Sequence, residues 1–310
     1  MRGIITVVLF AAVASVSFAQ QDAKFTQYMF DRLSINPAVA GMSGQLCGTL
    51  LLRQQWTGFD GAPKTALLNV QTPINRINSG VGLSVYLDQL GQQKSTYARF
   101  SYSYHIKVGP TGKLGVGFMA GMMSHTLGNN WQATDPISTD ATIPANGNSD
   151  MGWDLAAGLY YASPKLWAGF SSTHLTEVSL DNVSIQQRRH YFLQGGYNWK
   201  IKDNAKHVLQ PSVLMKSDGT STQFDLTALY LYNNMVWAGV SYSTQDAISP
   251  MIGYQFQPNT KSMLKIGYSY DITTSKLKNY SSGSHEIMLN YCVTIVKPPD
   301  VQIYRNVRFL

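Results

Sequence analysis

The sequence is short of charge. Asp, Glu, Lys and Arg make up 13% of its 310 residues, about half of the usual quarter. A soluble chain of this length covers its surface with Lys and Glu, so the shortfall argues against a surface that meets only water. Long apolar runs are also absent: after Ala19 no segment reaches the roughly 20 apolar residues of a spanning helix. The formal charge of +7 comes without any Lys/Arg run, which leaves no footprint for nucleic acid.

Chemistry-bearing patterns are missing as well. The six histidines stand apart, with no H-E-x-x-H and no Cys/His cluster at zinc spacing. There is no G-x-S-x-G, no phosphate loop and no dinucleotide-binding glycine pattern. Ser101, His105 and Asp154 fall on the same polar side of strand-like stretches. Any polar lumen shows such a set by chance, and no nucleophile–base spacing is visible. The expectation is a protein that is not an enzyme and holds no cofactor or metal.

What is present begins with a secretory leader. In Met1–Ala19, Arg2 supplies the positive start, Ile4 to Val16 the apolar run, and Ser17-Phe18-Ala19 a cleavage site of the small-x-small kind. No Cys follows it, which argues against a lipoprotein, and the mature chain is expected to start near Gln20.

The rest alternates. In Tyr97–Ile106, Ala98, Phe100, Tyr102, Tyr104 and Ile106 share one face, with Tyr97, Arg99, Ser101, Ser103 and His105 on the other. Met235–Thr244, Gln223–Leu231 and Ile287–Ile295 repeat the pattern. A period of two excludes a helix, and about ten-residue alternating stretches between turn signals are the mark of a membrane β-barrel. About 14 strands are predicted, near 45–55, 64–73, 79–88, 95–107, 113–127, 152–162, 166–173, 189–200, 208–216, 223–231, 235–244, 247–256, 263–271 and 285–296. Pro211 marks the ninth as bulged or poor. Arg53, Arg99, Asp154 and Asp225 fall on inward faces. Tyr161, Trp199, Tyr242 and Tyr254 fall on outward faces near strand ends, as interfacial girdles do. The Gly80/Gly82 and Gly115/Gly117 steps lie inside strands, where small residues relieve crowding.

The fold class is therefore all-β: a transmembrane antiparallel barrel over residues 45–296, behind a cleaved signal peptide at 1–19. Long connections follow odd strands and tight turns follow even ones. This places the segment 20–44 and the tail 297–310 on the periplasmic side of a bacterial outer membrane, both termini included. A barrel of this size has a lumen that side chains alone do not fill, so it must hold water, a plug or a bound segment. Cys47 and Cys292 lie on inward faces of the first and last strands. Register-matched cysteines on adjacent strands are rare given the narrow Cα separation of a disulfide. Two unpaired thiols are the expectation and a seam disulfide the alternative.

Several stretches carry a family resemblance. Phe25-Thr26-Gln27-Tyr28-Met29 followed by Asn36-Pro37-Ala38-Val39-Ala40-Gly41 resembles the opening of the PorP/SprF family of Bacteroidetes. So do Arg53-Gln54-Gln55-Trp56-Thr57-Gly58-Phe59-Asp60-Gly61-Ala62-Pro63-Lys64-Thr65, Tyr268-Ser269-Tyr270-Asp271, Gly283-Ser284-His285-Glu286 and the ending Arg308-Phe309. Asp31 is a departure, since many members carry Asn there. The resemblance implies a non-enzymatic component of type IX protein secretion, in some bacteria also of gliding motility. Such a component bridges the outer membrane to the periplasmic ring made of a lipoprotein and its partner, or to secreted C-terminal-domain proteins. The alternative is a passive porin or small-molecule transporter. Expected partner contacts are Phe25, Gln27, Tyr28, Asn36 and Pro37 before the barrel, Trp56 and Phe59 in an outer loop, and Tyr304, Arg305, Arg308 and Phe309 in the tail. Aromatic and Arg side chains are the usual interface anchors.

Overall fold

The computed structural model describes residues 24–129, 147–203, 206–244 and 246–295. The chain forms β1 (Leu46–Gln54), β2 (Lys64–Ile74), β3 (Ser79–Leu90), β4 (Gln93–Val108), β5 (Gly112–Leu127), β6 (Asn148–Ala162) and β7 (Leu166–Thr173). A two-strand loop hairpin follows, β8 (Ser179–Leu180) and β9 (Ile185–Gln186). Then come β10 (His190–Tyr197), the short β11 (Trp199–Lys200), β12 (His207–Ser217), β13 (Thr222–Tyr232), β14 (Val236–Ser243), β15 (Ala247–Asn259), β16 (Ser262–Thr273) and β17 (Ser284–Val293). Every neighbour pair is antiparallel, and β1 pairs with β17 from Leu46↔Val293 to Gln54↔His285. With β11 continuing the β10 wall, the sheet closes as a 14-strand barrel. Closure removes the unpaired edges that hydrocarbon does not tolerate.

The alternation reads as expected. Along β4 the side chains from Ser95 to Tyr104 switch strictly between buried and exposed, and the exposed ones include Phe100, Tyr102 and Tyr104. The outward face is apolar and the inward face polar, the arrangement that a lipid-facing wall requires. Trp199, Tyr242 and Tyr254 are exposed on the outside. Pro211 does disturb the ladder. β12 pairs with β10 at Ser212 and beyond and with β11 at Leu209 and before, so the ladder is interrupted at Tyr197, opposite the proline that cannot donate, and at Asn198, opposite Gln210. The Gln210 side chain closes the gap with a 3.0 Å hydrogen bond to Asn198.

The two mouths differ. One carries short turns at 75–78, 109–111, 163–165, 233–235 and 260–261; the other carries 55–63, 174–189 and 274–283 along with some tight turns. Asn233 and Asn234 both take positive φ, as a two-residue hairpin turn demands.

Two expectations are corrected. Cys47 and Cys292 are directly cross-strand and form a disulfide, with a Cα separation of 4.1 Å. Barrel closure supplies the register that chance would rarely supply. The segment 20–44, expected outside the barrel, lies inside it from Lys24 onward. Lys24 sits at the long-loop mouth, 2.9 Å from Asp246. From there the chain runs down the lumen, and Gln45 leaves at the short-turn mouth beside Thr294. The described chain thus begins at one mouth and ends at the other, not on a single side. Residues 1–23 and 296–310, where the leader and the tail are expected, lie outside the described residues.

Candidate functional site

The plugged lumen is where chemistry-bearing side chains converge. At the long-loop end, Arg53 of β1 reaches Asp271 of β16 at 2.6 Å and Glu286 of β17 at 3.1 Å. All three are buried. One guanidinium faces two carboxylates, and the plug supplies the missing donors. The backbone N–H groups of Thr26 and Gln27 each donate to Glu286 at 2.8 Å, and the Thr26 hydroxyl donates to Asp271 at 2.9 Å. A buried charge is tolerable only when its lone pairs are met, so docking of the plug completes the network. Lys24 adds ion pairs to Asp225 at 3.5 Å and to Asp246.

Further down, Asp31 accepts a short hydrogen bond from Asn69 of β2. Its carboxyl is pushed up to about 6, first by burial, with hydrogen bonds from Ser34 and Asn69 acting the other way. Burial also raises the Tyr28 phenol, whose hydroxyl lies 3.0 Å from Ser212.

The lower plug rides on a track of inward glycines. A Cβ on Gly117 would lie 2.3 Å from the Ala38 nitrogen, and one on Gly80 would lie 2.2 Å from the Ala40 carbonyl oxygen. Gly158 and Gly169 leave room for the Asn36 amide in the same way. That amide donates to the Leu159 carbonyl at 3.0 Å, and its oxygen accepts from the Ala38 nitrogen to start a 3₁₀ turn with Pro37 at its first position. Ser103 and His105 of β4 bind the carbonyls of Ala38 and Ala40, both at 2.9 Å. Crowding within the sheet explains the Gly80/Gly82 and Gly115/Gly117 steps less well than the approach of the plug does.

The loop 174–189 also folds inward. Leu180, Val183 and Ile185 are buried with Leu127 and Val178 against them, on the wall by Gly152 and Met123. Gln187 reaches His125 at 2.9 Å, which also contacts Ser95. Asp154 holds Arg99 at 2.7 Å and His174 at 3.0 Å. Asp154 is therefore engaged away from His105, which binds the plug, and the set of Ser101, His105 and Asp154 does not assemble.

Of the residues expected to meet partners, Phe25, Gln27, Tyr28, Asn36 and Pro37 are buried between plug and wall. Trp56 and Phe59 sit in the long-loop mouth. There Trp56 takes positive φ, its backbone N–H donates to the Ser284 hydroxyl at 3.0 Å, and Thr57 pairs with the backbone of 282–283. Phe59 is exposed. Tyr304, Arg305, Arg308 and Phe309 lie outside the described residues. Sequence reasoning selected the plug motifs but not their location. The pairing of inward glycines with a compact Asn-Pro-Ala-Val-Ala-Gly turn was the available signal.

The family model for the type IX secretion system membrane protein PorP/SprF matches residues 17–291. The chain belongs to the PorP/SprF family. No curated protein matches it by sequence. Among solved structures, it is similar to the CymD monoaromatic hydrocarbon channel, with a TM-score of 0.53, 13% identity and 88% of this chain and 94% of that one covered. It is also similar to the P. putida toluene transporter TodX, with a TM-score of 0.52, 9% identity and 89% and 95% covered. At such identities the likeness concerns the barrel fold alone. The PorP/SprF chain is an outer-membrane β-barrel, and the opening motif of its family resemblance is the part of the molecule that fills its lumen.

Proposed function

We propose that this PorP/SprF protein is a non-enzymatic platform of type IX secretion, linking the outer membrane to periplasmic ring proteins or to secreted C-terminal-domain cargo. The observation that carries this reading is the plug, locked in the lumen by the Arg53–Asp271–Glu286 network. A barrel filled by its own chain offers its two mouths as docking faces rather than a route through the membrane. In this reading the long-loop mouth faces outward, as bacterial barrels arrange it. Cargo meets the 55–63 loop with Trp56 and Phe59, and ring proteins meet the short-turn mouth and the tail with Tyr304, Arg305, Arg308 and Phe309. The plug residues Phe25, Gln27, Tyr28, Asn36 and Pro37 act by holding the platform shut.

The test is affinity purification of the tagged protein from native membranes in a mild detergent, with partners identified by mass spectrometry. Recovery of ring components supports the envelope link, and loss of that recovery on truncation after Val296 assigns it to the tail. If neither ring nor cargo proteins co-purify, the platform reading fails. The porin reading then depends on conductance in planar bilayers, where the plugged protein is expected to be silent.

A further inference from the structure

A cavity separate from the network at the long-loop end opens at the short-turn mouth. It measures about 230 Å³ and is lined by plug and wall together. Two cations face it. The Arg32 guanidinium stacks on Trp167 with its carbon 3.7 Å from the ring centroid and donates to the Tyr160 hydroxyl at 2.6 Å. The Lys265 ammonium, on the inward face of β16, lies 5.6 Å from the ring centre of Phe30. No carboxylate lines the cavity, and among the described residues neither cation belongs to an ion pair. The Arg32 Nε is buried and has no hydrogen-bond partner.

This is unlike the rest of the lumen, where Arg53, Arg99 and Lys24 each meet acidic groups. Two cations held together without a counterion are costly in a partly buried site. A guanidinium and an ammonium lining one cavity, with the Tyr160 phenol beside Arg32, form a donor set for an oxyanion; the Gln210 and Asn198 amides on the rim already donate to Asn198 and to the Pro164 carbonyl. Charge sets the class: a carboxylate would leave one positive charge over, whereas a phosphate dianion balances both.

We propose that this cavity binds a phosphate dianion, either free or as a phosphate monoester headgroup, entering from the short-turn mouth. The wall separates the cavity from the lipid-facing surface, so the site is reached from the aqueous phase or from a headgroup at the membrane edge.

The test is calorimetric titration of the purified full chain in non-ionic detergent. The probes are inorganic phosphate and dihexanoyl phosphatidic acid, with acetate and a tetra-glutamate peptide as controls at matched ionic strength. Saturable binding of phosphate is expected to tighten as pH rises through its second ionisation, and to weaken about tenfold or more in Lys265→Gln and in Arg32→Gln. Lys265→Arg, which keeps the charge, is expected to retain it. Binding of inorganic phosphate identifies a soluble source, and binding of the lipid alone identifies a headgroup. Both support the site. Equal binding of acetate, preference for the acidic peptide, or unchanged affinity in both glutamine variants overturns it. Heat-modifiable migration on gels checks that each variant forms the barrel, and if Lys265→Gln does not, Arg32→Gln carries the comparison.

Discussion

At the scale of single residues, the lumen is governed by where its charges find partners. Asp31 is the instructive case, because its carboxyl is raised from 3.8 to about 6 by burial. A raised carboxyl binds its proton more tightly in the folded protein. Its ionisation therefore costs nothing below about pH 4, begins to cost as pH passes the unfolded value, and costs its full amount above about pH 6. The shift corresponds to roughly 3 kcal/mol at neutral pH, at about 1.4 kcal/mol per unit. Asp31→Asn is expected to stabilise the protein at pH 7.5 and to change little at pH 4. The comparison is the pH dependence of the unfolding midpoint in detergent, variant against parent, and a variant less stable at pH 7.5 refutes it. Arg53 gives the opposite sign. Arg53→Met strands Asp271 and Glu286 together and is expected to cost about 3–5 kcal/mol, read as a lowered unfolding midpoint and faster tryptic cleavage after Lys24 and Arg32.

At the scale of elements, the strands were legible because a two-sided wall writes a period of two into its sequence. All 14 predicted strands have a counterpart, and even the defect at Pro211 appears as the break between β10 and β11. The inward placement of Arg53, Arg99, Asp154 and Asp225 follows from the same pattern. The plug was not legible in this way. It has no regular element beyond the Pro37–Val39 turn, and its burial is set by residues of many different strands. Phe25, Gln27 and Asn36 drew notice as residue types that bind something, and what they bind is the inside of their own barrel. Whether the lumen is filled also depends on contacts far apart in sequence, such as Thr26 with Glu286. The glycine track gives an element-level prediction. Gly117→Val places methyl groups where Ala38 lies, an overpacking worth about 1–3 kcal/mol. The strand keeps its ladder while the plug loosens, so the barrel is expected to remain heat-modifiable while showing intermittent conductance. A variant as silent as the parent would mean that the plug tolerates displacement.

At the scale of the whole molecule, closure is secured twice, by the β1–β17 ladder and by the Cys47–Cys292 bond. The sequence alone favoured free thiols because it could not show that closure sets these two positions opposite each other. The bond spans a sequence separation of 245. A chain-entropy estimate for so long a loop is roughly 5 kcal/mol, an upper figure since the ladder already holds the seam. Cys47→Ser with Cys292→Ser is expected to fold and insert, but to lose its heat-resistant gel mobility at a lower temperature. Reductant is expected to shift the parent in the same direction and to leave the double variant unmoved.

The disulfide and the plug together have a topological meaning. The covalent ring running from Cys47 through the barrel wall to Cys292 encircles the amino-terminal arm of the same chain, as a noose encircles its own rope. With the bond intact the arm can leave only lengthwise, dragging Asn36 past the glycine track and Thr26 out of its ionic clasp. With the bond reduced, a parted seam offers a sideways exit. The bond therefore limits the order of assembly to two routes: the arm is laid in the trough of an unfinished sheet before the last strand meets the first, or it is threaded lengthwise afterwards. A chain oxidised too early, with its arm still outside, would be a barrel that its arm can enter only end-on.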